Sequence, residues 1–118
     1  MISEVKTKWL ESLRSGDYSQ GTNKLFDGKS YCCLGVLCDL YQKQSNQQWD
    51  QKASEFELTE SFYCNDQSEV LSDDVANWAG LDSNNPTVLN ESSRVPLAEL
   101  NDSGYTFQEL SNYIEEQF

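Results

Sequence analysis

The chain has 118 residues, the size of one domain built around a single hydrophobic core. It carries 20 Asp and Glu residues against 8 Lys and Arg and has no His, so its formal net charge is −12. This charge argues against direct binding of nucleic acid phosphates. Without His the chain also lacks the commonest general base, the Ser-His triad and the usual zinc ligand.

The negative charge is concentrated in the C-terminal part of the sequence. Residues 1–48 contain five acidic and six basic residues, whereas residues 49–118 contain fifteen acidic and two basic ones. The net charges of the two parts are therefore +1 and −13. The C-terminal part is a candidate contact surface for a cationic partner, although acidity of this kind also serves solubility alone.

The sequence predicts a soluble protein of the cytoplasm. Its first residues have the pattern of an amphipathic helix and not of a secretory signal. The most apolar run, residues 31–41, contains Asp39 and is shorter than the roughly 20 apolar residues that a membrane-spanning helix needs. We expect the four cysteines to be free thiols, because adjacent Cys32 and Cys33 cannot easily bridge each other and no export signal is seen.

The N-terminal part begins with a clear helix pattern. Apolar residues recur at helical spacing over residues 3–15, and Gly16 is suited to end this helix. Farther along, the Asp27-Gly28 pair lies between short runs with apolar members. This pattern predicts a small β-hairpin over residues 23–31.

A second helix is predicted over about residues 31–44, with Ser30 as its N-cap. Gly35 lies inside it and costs about 1 kcal/mol relative to Ala, so it indicates a close packing contact. The order of elements predicts an α+β fold, a single domain over residues 1–118. In this fold three or four helices pack on a small antiparallel sheet, with the helix of residues 31–41 at the centre.

The middle of the chain carries weaker signals. Residues 45–51 are polar and predict a solvated loop, whereas residues 55–58 and 61–64 alternate and predict one or two short strands. Residues 84–86 form a turn signal, and residues 87–89 are expected to be a brief strand.

Two further helices have well-marked beginnings. Ser72 is the expected N-cap of a helix over residues 73–79 that ends at Gly80. Thr106 and Glu109 form a capping box that opens a terminal helix. One face of that helix carries the apolar residues Phe107, Leu110, Tyr113, Ile114 and Phe118.

Four stretches of the sequence carry a family resemblance: RSGDYSQG at residues 14–21, YCCLGVLCDL at residues 31–40, WAGL at residues 78–81, and LAELNDSG at residues 97–104, followed by Phe107. Their order resembles a group of small, uncharacterised proteins of tailed bacteriophages and prophages. The resemblance implies a phage-encoded protein that works in the bacterial cytoplasm, and it transfers no catalytic or binding residue. Residues 42–71 lie outside it.

The cysteines are the strongest candidates for chemistry, and the sequence favours a structural role for them. Only Cys33 and Cys38 have spacing close to a zinc-binding pair, with Cys64 as the one other thiol outside residues 32–38. Cys32 lies near a predicted helix start, where Lys29 could assist a thiolate nucleophile, but no His is present to move its proton. We therefore predict no catalytic residue, no metal and no cofactor.

The first functional hypothesis is a non-enzymatic inhibitor or anti-defence factor that contacts a host protein through its acidic part. Its target would present a basic surface, such as one that otherwise binds nucleic acid. The candidate contact residues are Asp73, Asp74, Glu115 and Glu116. No membrane contact is expected, and the oligomeric state is left open.

A second hypothesis is a protein that binds or sequesters a small molecule such as a nucleotide signal. Its candidate ligand-binding residues belong to or flank two expected loops, at residues 18–22 and 101–104: Arg14, Tyr18, Gln20, Asn101 and Asp102. An enzyme is the third and least supported alternative, because no pair of nucleophile and base is visible.

Overall fold

The structure, a computed structural model, describes residues 1–53 and 60–118. Over these residues it has five helices and two two-stranded antiparallel sheets, which confirms the predicted α+β class. In chain order the elements are α1 (Ser3–Ser15), α2 (Cys33–Gln44), β1 (Asp50–Ala53), β2 (Glu60–Tyr63), α3 (Asp73–Ala79), β3 (Thr87–Asn90), β4 (Ser93–Pro96), α4 (Leu97–Asp102) and α5 (Phe107–Gln117). No helix among them is long and apolar enough to cross a membrane.

Helix α2 is the central element, as predicted. Every residue from Cys33 to Asp39 is buried, and the helix packs against α1, α3 and α4. Trp9 of α1 is fully buried, and its indole N–H donates to the carbonyl oxygen of Cys33 at 3.0 Å. The helix is therefore apolar on nearly all sides because it is surrounded by other elements.

The strands form two separate two-stranded antiparallel sheets where a single small sheet was expected. In the first, β1 pairs with β2, with Asp50 opposite Tyr63. In the second, β3 pairs with β4, with Thr87 opposite Pro96. A two-stranded sheet of this size is stable only when packed against other elements. The second sheet packs against α4 and α5, whereas Phe62 of the first sheet contacts the ring of Phe26.

Three helix boundaries were predicted correctly from local capping signals. Gly16 ends α1 in the left-handed conformation, with φ of 82°. The Ser72 side chain accepts from the backbone N–H of Val75 at the start of α3. Thr106 and Glu109 form the complete capping box of α5. These signals succeed because their partners are close in the chain.

The predicted hairpin over residues 23–31 is confirmed in part: its turn forms, and Phe26 and Tyr31 make an antiparallel bridge across it. The Asp27 carboxylate accepts from the backbone N–H of Ser30 at 2.7 Å, which closes the turn. Tyr31, however, donates its backbone N–H to Ser19 and accepts from the N–H of Gly21. Tyr31 thus forms isolated bridges with both Gln20 and Phe26. The backbone hydrogen bonds from Asp27 to Ser30 and from Cys32 to Leu25 flank the second bridge, but the pairing does not extend into a longer ladder.

Ser30 was also wrongly predicted as the N-cap of α2. The helix begins at Cys33 after Cys32, and no adjacent side chain caps it. The Cys33 N–H donates instead to the side-chain oxygen of Asn101 at 3.2 Å, from 68 residues away. A capping partner this far along the chain leaves no local pattern to detect.

In the middle of the chain, β1 begins at Asp50, inside the stretch of residues 45–51 that was expected to be a loop. Strand β2 overlaps the predicted strand at residues 61–64 but begins and ends one residue earlier. The strand expected at residues 55–58 lies outside the described residues. Strand β3 confirms the expectation for residues 87–89. Strand β4 and helix α4 were missed, so Asn101 and Asp102 belong to a helix where a loop was expected.

Gly35 marks a close contact between α2 and the backbone of Leu25, as its position inside the helix indicated. A Cβ atom at residue 35 would lie 1.7 Å from the carbonyl oxygen of Leu25. That distance is far below van der Waals contact, and Leu25 is itself fully buried. The absence of a side chain therefore allows the segment before α2 to pack directly on the helix.

We expect Gly35→Ala to lower the free energy of unfolding by about 3 kcal/mol or more, because backbone atoms must move to admit the methyl group. The matched control is Gly16→Ala, at a position with positive φ where nothing lies within 4 Å. This control should cost only about 1 kcal/mol. Urea denaturation measures both values, and equal losses in the two variants would contradict the packing explanation.

Candidate functional site

Asn101, one of the predicted ligand-binding residues, lies at the centre of a buried hydrogen-bond network. Its side-chain oxygen accepts from the Cys33 N–H at 3.2 Å and from Gln20 Nε2 at 3.0 Å. Its Nδ2 donates to the carbonyl oxygen of Gly21 at 2.8 Å and to Asp102 Oδ1 at 3.3 Å. The residue is only 1% exposed. These four bonds use the full capacity of the carboxamide, so Asn101 positions other groups and has none left for a ligand.

Gln20 extends this network toward α5. Its Nε2 also donates to the carbonyl oxygen of Tyr105 at 2.7 Å, and its Oε1 accepts from the backbone N–H of Phe107 at 3.0 Å. Asp102 accepts from the backbone N–H of Asn23 at 2.9 Å. Gln20, Asn101 and Asp102 are therefore brought together, as the second hypothesis requires, but their mutual bonds connect elements of the fold.

Tyr18 lies in a different cluster, around Asp39 of α2. The Tyr18 hydroxyl donates to Asp39 Oδ2 at 2.5 Å, and Lys43 Nζ lies 3.0 Å from the same oxygen. Trp49 Nε1 donates to Asp39 Oδ1 at 3.3 Å. Burial, together with the hydrogen bond to Asp39, raises the pKa of Tyr18 to about 12. These contacts satisfy the hydrogen-bonding capacity of the buried Asp39 carboxylate. They also connect α2 to Tyr18, which precedes the helix in sequence, and to Trp49, which follows it.

Arg14, the fifth predicted ligand-binding residue, joins α1 to α5. Its guanidinium contacts Glu115 Oε2 at 3.1 Å and donates to Ser111 Oγ at 2.9 Å. Lys6 Nζ donates to the backbone oxygen of Glu115 at 3.0 Å. The hydrogen bond from Arg14 lowers the pKa of Glu115. Arg14 is therefore not part of the Asn101 network or of the Asp39 cluster. Its positive charge balances that of Glu115, whereas the neighbouring Glu116 is exposed.

A concavity of about 650 Å³ carries three carboxylates in its wall: Glu69, Glu99 and Asp102. A second concavity of about 460 Å³ adjoins it at Val70 and is lined by Asp73 and Asp74. We call the two together the acidic groove. No Lys or Arg of the described residues lines either part.

Local structure explains the position of each carboxylate in the acidic groove. Glu99 and Asp102 are three residues apart on α4, so they lie on neighbouring positions of one helix face. Asp73 and Asp74 occupy the first turn of α3, where the helix dipole favours negative charge. Asn84 holds Asp73 in place by donating to Asp73 Oδ1 at 2.8 Å.

Two of the four predicted contact residues, Asp73 and Asp74, thus border the groove, whereas Glu115 lies on the α1–α5 side of the molecule. Glu69 and Glu99 were missed by sequence reasoning. The three-residue spacing of Glu99 and Asp102 is the only signal that could have indicated Glu99, and it required α4 to be recognised as a helix. Glu69 lies in a segment without a periodic pattern.

Cys32 also lines the groove and was the candidate nucleophile. It is only 3% exposed, and burial raises the pKa of its thiol to about 11, although backbone hydrogen bonds at the start of α2 act in the opposite direction. The thiol is therefore protonated at neutral pH, so it is a weak nucleophile. Within the described residues no three His, Cys, Asp or Glu side chains are grouped to hold a metal ion.

The fold and the groove define a small α+β domain with an acidic concave surface. The chain belongs to a domain family of unknown function (DUF8296), which it matches across residues 1–118. No curated protein and no solved structure matches it.

The raised pKa of Tyr18 predicts a loss of stability at alkaline pH. The protonated hydroxyl stabilises the fold fully below pH 10, the ordinary pKa of the unfolded chain, and this contribution is lost as the pH rises toward 12. We expect the stability advantage of the wild type over Tyr18→Phe to shrink by about 1–2 kcal/mol between pH 9 and pH 11.5, with solvent screening allowed for.

Urea denaturation at several pH values measures this difference. Tyr41→Phe is the matched control, because Tyr41 lies on the same helix as Asp39 but its hydroxyl is not part of the Asp39 cluster. A stability difference between wild type and Tyr18→Phe that stays constant with pH would contradict the assignment.

Proposed function

We propose that the protein is a non-enzymatic binding protein, encoded by a phage, that acts in the bacterial cytoplasm. Its acidic groove contacts a host protein through a basic surface of that partner, such as a surface that otherwise binds nucleic acid. By occupying this surface it acts as an inhibitor or anti-defence factor.

The observation that carries the proposal is the acidic groove. Five carboxylates line two adjoining concavities, and no cation of the described residues lines them. A cationic partner that enters the groove would be attracted by several carboxylates at once. A charged concave surface also steers an oppositely charged protein and raises its association rate.

The composition of the groove favours a protein partner with Lys and Arg side chains. Amide side chains of Asn23, Asn65, Gln67, Asn84 and Asn85 lie among the carboxylates. Amide and carboxylate oxygens together accept hydrogen bonds from guanidinium and ammonium groups. An anionic nucleotide signal, by contrast, would meet five negative charges and no lining cation.

The phage attribution is supported by the sequence alone. The string at residues 31–40 forms most of the buried central helix, so its apolar residues and Gly35 are explained by packing. Its resemblance to phage and prophage proteins therefore concerns mainly the core of the domain. The resembling stretch at residues 97–104, however, also contributes Glu99 and Asp102 to the acidic groove.

The test compares two doubly charge-reversed variants of the full chain in affinity capture from bacterial lysate. The groove variant is Glu69→Lys with Glu99→Lys, and the control is Glu4→Lys with Glu11→Lys on α1. All four side chains are exposed, and both variants change the net charge equally. Circular dichroism confirms that both remain folded before capture.

We expect the wild type and the control to retain the same host protein and the groove variant to lose it, with affinity for the purified partner reduced at least about tenfold at low salt. Binding of the wild type should weaken as salt is raised from about 50 to 300 mM. The proposal is wrong if the groove variant retains the partner as well as the wild type does, or if the control loses it equally.

A further inference from the structure

A concavity distinct from the acidic groove lies between the end of α1 and helix α2. Its volume is about 400 Å³, and it shares no lining residue with the groove. It is lined by Ser12 of α1 and by Asp17, which follows that helix, and by Asp39 and Lys43 of α2. We call it the α1–α2 concavity. A volume of this size is sufficient for a small molecule.

Lys43 shows which chemical group this concavity accommodates. Its ammonium lies 3.0 Å from Asp39 Oδ2, donates to the Tyr18 hydroxyl at 3.2 Å, and lies 5.4 Å from the centroid of the Tyr18 ring. A carboxylate, a phenol oxygen and an aromatic face all attract an alkylammonium group. Asp39 is only 7% exposed, so the fold holds this carboxylate in place.

Further oxygen groups of the same concavity have no partner. The Asp17 carboxylate, the Tyr31 hydroxyl and the Ser12 hydroxyl all belong to lining residues, and none of them makes a hydrogen bond or ion pair with a described residue. Each of these groups can accept a hydrogen bond, and a primary ammonium group has three N–H bonds to donate. The unused acceptors therefore match a second ammonium group, in addition to that of Lys43.

The electrostatics of the α1–α2 concavity also favour a cation. The charges of Asp39 and Lys43 balance each other, so Asp17 leaves the lining with an excess negative charge. Burial raises the pKa of Tyr31, and the Asp39 carboxylate raises it further against the smaller opposing effect of Lys43. The potential at the Tyr31 hydroxyl is therefore negative despite the nearby lysine.

We propose that the α1–α2 concavity binds the primary ammonium group of a small aliphatic amine. The ammonium donates to Asp17, Tyr31 and Ser12, and the alkyl chain lies against Leu40 and the aromatic rings. The rings of Tyr18 and Tyr31 meet at 82° with their centroids 5.0 Å apart. A quaternary ammonium ion has the charge but no N–H group, and an alcohol has no charge, so neither satisfies all of these partners.

The experiment titrates the isotope-labelled full-length protein with butylamine hydrochloride at neutral pH and constant ionic strength. Nuclear magnetic resonance follows the backbone amides. Saturable chemical shift changes should concentrate at residues 12, 17–18, 31 and 39–43. Tetramethylammonium chloride and 1-butanol are the ligand controls, and each should bind at least about fivefold more weakly than butylammonium.

Two variants remove acceptors that make no bond within the fold. Asp17→Asn and Tyr31→Phe should each weaken the binding of butylammonium by about fivefold or more. The matched control for the first is Asp82→Asn, the same change of charge at an exposed residue that lines a different concavity. This control should bind butylammonium as the wild type does.

Several results would overturn the proposal: equal binding of tetramethylammonium or 1-butanol, equal weakening by Asp82→Asn, full binding by both Asp17→Asn and Tyr31→Phe, or no saturable binding. Shift changes centred on residues 69–74 and 98–103 would also contradict it, because they would place the amine in the acidic groove. The two sites share no lining residue, so failure of this proposal would leave the proposed partner contact intact.

Discussion

The carboxamide of Asn101 is the contact on which the arrangement of this domain depends. It caps the N-terminus of the central helix α2, fixes the segment around Gln20 and Gly21, and is itself carried by α4. Because Asn101 is buried, loss of its bond to Cys33 or to Gly21 would leave a backbone polar group without water to replace its partner. One side chain thus connects parts of the chain that are about eighty residues apart.

The same contact sets the geometry of the acidic groove. Fixing Asn101 also fixes the adjacent Asp102, and α4 then places Glu99 on the same face. The backbone N–H of Leu25 donates to the carbonyl oxygen of Ser68 at 2.8 Å, which holds the segment leading to Glu69 against the core. The groove is therefore a rigid surface built on packed elements, which limits the entropy lost when a partner binds.

The parts of the fold that could be predicted are those determined by neighbours in sequence. The ends of α1 and α3 and the start of α5 follow from Gly16, Ser72, Gly80 and the Thr106 capping box. Helix α4 has six residues, which are too few for a periodic apolar pattern to be recognised. Its first residue, Leu97, directly follows Pro96, which is both the last residue of β4 and the N-cap of α4. The cap on α2 could not be predicted because Asn101 provides it from across the domain.

The candidate site was predictable only in part, for the same reason. Asp73 and Asp74 were selected as members of the acidic C-terminal part of the sequence, and they do border the groove. Glu115 was selected from the same part, but Arg14 of α1 pairs with it, and a pairing between the first and last helices leaves no trace in local composition. The net charge of each segment therefore located the acidic part of the chain. Only the fold shows which of its carboxylates form an ion pair with a basic side chain and which border the groove.

The central claim is that the acidic groove is the surface that receives a cationic partner. Nuclear magnetic resonance titration of the labelled protein with a short arginine-rich peptide tests it most directly, because every backbone amide reports on its own surroundings. The account predicts that chemical shift changes concentrate at residues 69–74 and 98–103 and diminish with added salt. Changes spread evenly over all acidic residues, or centred on the α1–α5 face beside Glu116, would contradict it.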